Sequence, residues 1–305
     1  ALPIYFRFSL SWSRIFPNGI GTVNPDGIDF YNRVIDFCLE LDIEPWITLY
    51  HWDLPYELEK KGGWTNRDII NWFGEYVALC VRKFGDRVKH WMVLNEPVVF
   101  TGAGYFLGVH APGKKGVDNY LPALHHTALT QAAGIKTIRS VCADAHIGTT
   151  FSCSQITALN PNKEEDVIAA KKTDALINRL FIEPLLGYGY PKETLPFLNK
   201  LEPYIKSNDL ENLIAIPDFI GIQNYTREVV SHSKLTPYLN AKIIDAKSRN
   251  VDRTIMNWEI YPESIYEMIK QFNQYKEINQ LYITENGAAF NDRIIDGHIN
   301  DEKRV

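Results

Sequence analysis

The chain has 305 residues, 45% of them hydrophobic, with 19 glycines, 16 prolines and 4 cysteines; this excludes a disordered tail, a collagen-like or low-complexity chain and a disulfide-stapled miniprotein. Its 32 basic and 37 acidic residues leave a net charge of −5, without the basic footprint that a nucleic-acid backbone demands. No apolar run of about 18 residues occurs, so no membrane-spanning helix is expected, and neither nucleic acid nor membrane is expected as a partner.

Residues 4–10 open the chain as an apolar strand-like run interrupted by Arg7. Residues 29–41 follow, with Phe30, Val34, Phe37, Cys38 and Leu41 at three- and four-residue spacing, the pattern of an amphipathic helix. A second strand is expected over 45–51 and a second helix over 68–84, where Ile69, Trp72, Phe73, Tyr76, Val77, Cys80 and Val81 repeat the spacing. Strands at 90–95, 147–152, 219–224 and 281–284 then alternate with helices at 122–142, 164–181 and 264–275. The strand runs are rich in β-branched and aromatic residues and nearly continuous in apolarity, as in parallel sheets covered on both faces. No proline- or serine-rich linker and no repeat divides the sequence, which points to one α/β domain over residues 1–305. A closed (β/α)8 barrel, which takes about 250 residues, and an open doubly wound sheet both satisfy this alternation. Ser11-Trp12-Ser13-Arg14-Ile15 follows the first strand where a dinucleotide fold would carry Gly-x-Gly-x-x-Gly, and no Walker A sequence occurs.

Cys38, Cys80, Cys142 and Cys153 form no Cys-x-x-Cys pair, so neither a zinc ribbon nor a thioredoxin-like site is expected. Cys38 and Cys80 stand in apolar helical stretches as small buried hydrophobes, and the set fits a reducing compartment such as the cytoplasm. The chain begins Ala-Leu-Pro, without an initiator Met, which decides nothing about a leader.

Polar residues gather at the C-terminal ends of the expected strands: His51-Trp52-Asp53, Asn95-Glu96-Pro97, Gln223-Asn224-Tyr225 and Thr284-Glu285-Asn286-Gly287. In barrels, active sites are built at these ends. Glu96 and Glu285 each follow an apolar strand and precede a turn residue. Two carboxylates facing across an aromatic cleft are the machinery of glycoside hydrolysis, one protonated to donate to the leaving oxygen and one ionised to attack or to activate water. Arg7 is the candidate cation for the ionised member. Strand-end glutamates also serve as helix caps or solvent contacts, and position alone does not separate the two readings.

Seven segments, in order along the chain, resemble glycoside hydrolase family 1, the β-glucosidase family. They are Tyr5-Phe6-Arg7-Phe8-Ser9-Leu10-Ser11-Trp12-Ser13-Arg14-Ile15, His51-Trp52-Asp53-Leu54-Pro55, Asn95-Glu96-Pro97, Gly108-Val109-His110-Ala111-Pro112-Gly113, Asp218-Phe219-Ile220-Gly221-Ile222-Gln223-Asn224-Tyr225-Thr226-Arg227, Trp258-Glu259-Ile260-Tyr261-Pro262-Glu263 and Thr284-Glu285-Asn286-Gly287. The resemblance implies a (β/α)8 TIM barrel and a retaining β-glycosidase that acts on β-glucosides or β-galactosides without a cofactor. Glu96 would be the general acid/base and Glu285 the nucleophile, with their carboxyls about 5–5.5 Å apart. Asn95 would bond the sugar 2-hydroxyl, His51 a neighbouring hydroxyl with Trp52 beside it, and Trp258 would line the leaving-group side. Arg7 and Tyr225 would orient the nucleophile. The substrate would be a small-molecule or oligosaccharide β-glycoside; oligomeric state is left open. A 6-phospho-β-glycosidase is the rival within the family. A silent barrel that binds sugar or protein is the rival outside it, disfavoured because both glutamates are present. A myrosinase-like thioglucosidase is disfavoured because Glu96 supplies an acid/base that such enzymes dispense with.

The sequence departs from the family pattern in four places. Gln223-Asn224-Tyr225 stands where Asn-Tyr-Tyr is frequent, and Leu94 where Phe is common. The family's first strand has no counterpart before Ala1, and Asp301-Glu302-Lys303-Arg304-Val305 resembles a stretch that precedes the last strand. Six of the eight barrel strands are therefore expected in this chain, which would be weakly active or inactive as a free polypeptide because its sheet edges stay open.

The remaining candidates read as structural. His125 and His126 are adjacent on a helix and cannot both face one site; structural or exposed roles are expected. His51, Asp53 and His110 lack metal-ligand spacing. Trp64, Trp72 and Trp91 are expected in helices and core. Lys60-Lys61 and Lys114-Lys115 read as solvated loop charges, and the Asn224-Tyr225-Thr226 glycosylation pattern as a chance match on a strand end.

Overall fold

In the computed structural model, which describes residues 4–299 and 301–304, the strands in chain order are β1 (Tyr5–Ser9), β2 (Glu44–Tyr50), β3 (His90–Asn95), β4 (His146–Ser152), β5 (Gln155–Ala158), β6 (Phe219–Gln223), β7 (Arg227–His232), β8 (Ala241–Ile243), β9 (Leu281–Glu285) and the short pair β10 (Ile294–Ile295) and β11 (His298–Ile299). All six expected strands enter one parallel sheet in the order β1-β2-β3-β4-β6-β9. This is a six-stranded half-barrel, with β1 and β9 each paired on one side only among the described residues. Ala1 and Val305, which frame the two terminal departures from the family pattern, lie outside the described residues.

Helices cover the outside of the sheet. Helix Ile69–Phe84 turns Phe73, Tyr76, Val77 and Cys80 inward and packs along helix Val117–Val141. Between helices and sheet, Trp12 stacks on Tyr76 at 5.0 Å and meets Phe73 edge-on at 5.5 Å. Trp64 and Trp91 are buried in this layer, as expected, and Cys38 and Cys80 are buried free thiols. His125 and His126 are both buried. His125 bridges Tyr190 and Asp209, while His126 sits 3.1 Å from the Trp64 carbonyl oxygen; their role is structural and not exposed.

Several boundaries differ from the sequence reading, each for a local reason. The first long helix begins at Pro25, four residues early, because Asn24 caps it through the Asp26 N–H and Pro25 needs no donor at the first helical position. Helix Val117–Val141 runs through Pro122, near its start, where proline costs a single internal bond. The expected helix 164–181 is α-helical only over Glu164–Asp174 and then widens into a π-turn over Ala175–Arg179, where Asn178 bonds Asp174 and the Ser154 backbone. The small sheet β5-β7-β8 went unrecognised because its strands are short and half polar. Lys114 is also not a free surface charge: it pairs with Glu59 at 2.5 Å beside Tyr105. Asn224 is buried with its amide spent on Cys153, Thr226 and Ser264, so the glycosylation pattern is indeed a chance match.

Inside the curve of the sheet, one end is apolar and the other polar. Trp46, Met92 and Phe219 form a buried cluster with Tyr282 against it, and Trp46 stacks on His90 at 4.1 Å. Gly148 makes room for it, since a Cβ there would fall 2.4 Å from the Phe219 ring. This aromatic floor closes the N-terminal end, and Arg7, Thr48, Asn95, Thr150, Gln223 and Glu285 follow above it. Gly148→Ala is therefore expected to cost about 1–3 kcal/mol of stability. In a Phe219→Ala background most of that cost should disappear. Urea unfolding of the four proteins checks this, and an additive cycle would contradict it.

Candidate active site

Asn95 and Glu285 owe their direction to two register shifts. On β3, Met92 pairs with Gly148 but Asn95 with Thr150, three residues against two. On β9, Ile283 pairs with Ile222 but Glu285 with Gln223, two residues against one. Strict alternation would turn Asn95 and Glu285 away from the face shared by Met92 and Tyr282. The extra residue in each strand turns them onto it, the usual service of a bulge beside a site.

Arg7, projecting from β1, is the hub. Its Nη1 donates to Glu285 Oε1 at 2.6 Å, its Nη2 to Asn95 Oδ1 at 2.5 Å and its Nε to Thr48 Oγ1 at 3.1 Å. Glu285 also accepts from Gln223 Nε2 at 2.8 Å on the same oxygen and from the Tyr225 hydroxyl at 2.6 Å on Oε2. Tyr225 is thereby kept as a phenol: burial raises its pKa, and the bond to Glu285 raises it further. Asn286 donates to the Asn224 carbonyl at 2.7 Å and fastens the turn after the carboxylate.

Glu96 is treated differently. It is 7% exposed and stands at φ 49°, a left-handed conformation rare for a side chain of this size. Burial first, and then the charge of Glu285, push its carboxyl up to about 7, against weaker pulls from Ser152 and Arg7. Trp52, the residue after His51, is also left-handed at φ 74°. Its Nε1 donates to the Asn95 carbonyl at 2.9 Å, which holds the strained turn. His51 Nε2 lies 3.1 Å from Asn95 Nδ2. Its pKa is lowered by burial and by Arg7, with Glu285 opposing.

The residues expected together are together: Arg7, His51, Trp52, Asn95, Glu96, Tyr225 and Glu285 share one end of the sheet. Trp258 stands at its rim, 37% exposed, with its ring 5.3 Å from Tyr225. Trp52 and His110, whose rings are 5.5 Å apart, also border a cavity of about 660 Å³ lined by Tyr50, Trp64, Phe100 and Tyr105. Sequence reasoning did not single out Thr48 or Thr150, and it marked Gln223 only as a strand-end residue and a departure from the family pattern, without a role. The available signal was a polar residue inside an otherwise apolar strand, the same signal that marked Arg7.

The model of the family described as Glycosyl hydrolase family 1 matches residues 4–305. The 1,4-beta-D-glucan glucohydrolase of Thermotoga neapolitana is 40% identical over 302 residues, covering 98% of this chain and 70% of that protein. The solved family 1 β-glucosidase from Thermotoga maritima superposes with a TM-score of 0.92 at 38% identity, over 98% of this chain and 67% of that one. A structure of the Thermotoga maritima β-glucosidase in complex with glucoimidazole matches equally well, with a TM-score of 0.92 at 38% identity over the same shares of the two chains. The half-barrel thus corresponds to about two thirds of a TIM-barrel enzyme, and the chain belongs to glycosyl hydrolase family 1.

Proposed function

We propose that this site hydrolyses β-glucosides or β-galactosides with retention of configuration, Glu285 acting as nucleophile and Glu96 as general acid/base. The observation that carries the reading is the unequal environment of the two glutamates. Glu285 accepts from a guanidinium, an amide and a phenol, so it is presented as an anion with one geometry. Glu96 is buried with its carboxyl pushed up to about 7, so it carries a proton near neutral pH. Family membership and the glucoimidazole complex of a relative support a glucose-shaped ligand.

In the first step Glu285 attacks the anomeric carbon while Glu96 gives its proton to the departing glycosidic oxygen. Glu96, now a carboxylate, takes a proton from water in the second step. The water oxygen bonds the anomeric carbon, and Glu285 leaves. Arg7 and Tyr225 hold Glu285 on line throughout. Asn95 would bond the 2-hydroxyl and His51 a neighbouring hydroxyl, with Trp52 beside them and Trp258 toward the leaving group.

Because β1 and β9 are each paired on one side only among the described residues, the 305-residue chain is expected to turn over an aryl β-glucoside weakly, and a longer polypeptide that continues the sheet to do so faster; robust turnover by the short chain would contradict this. In the more active form, a panel of aryl β-glucosides and β-galactosides with and without a 6-phosphate tests the substrate class. Activity confined to the phosphorylated set would favour a 6-phospho-β-glycosidase. Glu285→Ala should abolish hydrolysis, and retained turnover would sink the assignment. Glu96→Gln should lower kcat/KM by about 10²–10⁴-fold for substrates with poor leaving groups and leave kcat/KM of activated ones nearly unchanged, while their kcat falls because the second step loses its base. The acid works protonated, so kcat/KM should fall as pH rises through about 7. A profile flat to pH 9 would argue against Glu96 as the acid.

A further inference from the structure

Gln223 stands at the end of β6, is completely buried, and lies where the family resemblance leads one to expect a shorter amide. Its Nε2 faces three acceptors: Asn95 Oδ1 at 2.7 Å, Glu285 Oε1 at 2.8 Å and Thr150 Oγ1 at 3.3 Å. An amide nitrogen has two protons, and the two short contacts take them. The Oε1 on the other side meets no donor among the described residues. Turning the amide over would set that oxygen against the Glu285 carboxylate and against Asn95 Oδ1, acceptor to acceptor, so its orientation is fixed.

The same counting fixes the next residue. Asn95 Oδ1 receives Arg7 Nη2 at 2.5 Å, Gln223 Nε2 at 2.7 Å and the Thr150 hydroxyl at 3.0 Å. An oxygen with three donors cannot exchange places with an NH2 group. Asn95 Nδ2 is therefore the donor at its outer end, and the atom it reaches is His51 Nε2, 3.1 Å away. A ring nitrogen that accepts a hydrogen bond carries no proton, so His51 is neutral and protonated on Nδ1.

We infer that Gln223 is a positioning residue that sets the donor and acceptor polarity of the site together with Arg7, helping to hold Asn95 with its NH2 toward His51 and the ligand and holding Glu285 in register with it. Gln223 is not a catalytic residue, because it touches the nucleophile and Asn95 from the buried side. The charged groups that face His51 are Arg7 from β1 and Glu285 from β9, with Asn95 of β3 as its hydrogen-bond partner. This inference deepens the glycosidase reading, but its spectroscopic consequence does not depend on turnover.

The test uses the 305-residue chain labelled with ¹⁵N-histidine, with the His51 signals assigned through His51→Asn. At pH 7.5 the wild type is expected to show His51 with Nδ1 protonated and Nε2 bare. Gln223→Met keeps the side-chain length and removes both donors. It leaves Asn95 Oδ1 to Arg7 Nη2 and the Thr150 hydroxyl, and should shift His51 partway toward the Nε2-protonated tautomer, while circular dichroism stays unchanged. In whichever form hydrolyses a β-glycoside, Gln223→Met should lower kcat by about 10²-fold with KM nearly constant. Gln223→Glu, which brings a carboxylate to Glu285, should lower it further. Wild-type His51 protonated on Nε2 would overturn the inference without any variant. Unchanged His51 signals in a folded Gln223→Met protein would overturn it as well. Absence of hydrolysis by every wild-type form, with the expected spectra, would defeat the glycosidase reading and leave the role of Gln223 standing.

Discussion

A guanidinium enclosed by a barrel must have its charge and its donors met there, because a charge stripped of water and left unpaired costs several kcal/mol. Arg7 meets this demand with three partners from three different strands: Thr48 of β2, Asn95 of β3 and Glu285 of β9. Its fork reaches across the open side of the half-barrel, from the first strand in the sheet to the last. Each charge-assisted bond contributes about 1.5–3 kcal/mol. Their larger effect is geometric, since Asn95 and Glu285 are tied to one rigid planar group.

The division of labour between the glutamates follows from where each stands relative to that hub. Glu285 lies inside the ring of donors. Glu96, one residue past the strand end and in a left-handed conformation, is carried out of their reach into a buried position next to another carboxylate. Two like groups in different surroundings are what the proposed reaction requires of its nucleophile and its acid. The aromatic floor of Trp46, Phe219 and Tyr282 below, and the Trp52 wall held by the Asn95 carbonyl, keep the polar layer at a fixed height. The backbone strain at Trp52 and Glu96 sits where the surrounding hydrogen bonds over-determine the chain.

Much of this was legible beforehand. The six barrel strands announced themselves as apolar runs because both of their faces are covered. Arg7, Asn95, Glu96 and Glu285 were visible as polar residues set into or just after those runs. The direction of Asn95 and Glu285 was not, because a bulge depends on the neighbouring strand and alternation alone would have turned both outward. Gln223 was visible only as a departure from a pattern, since its reach to both Asn95 and Glu285 needs the register of β6 against β9. The helices at Pro25 and Val117 were read as starting late because a cap and a tolerated proline are decided within one turn. The histidine pair on helix Val117–Val141 was rightly separated from the site, but its burial with Asp209 and Tyr190 depends on contacts 65 and 84 positions away.

The claim on which the rest hangs is that the carboxylate held by Arg7 becomes covalently bonded to sugar. A 2-deoxy-2-fluoro-β-glucoside with a good leaving group should form that bond and break it slowly, because the fluorine destabilises both transition states. After incubation, peptide mapping by mass spectrometry should place one fluoroglucosyl group on Glu285, with none on the same residue in Glu285→Gln. A label on Glu96 or elsewhere, or continued hydrolysis of the natural glycoside with no residue labelled, would contradict the account.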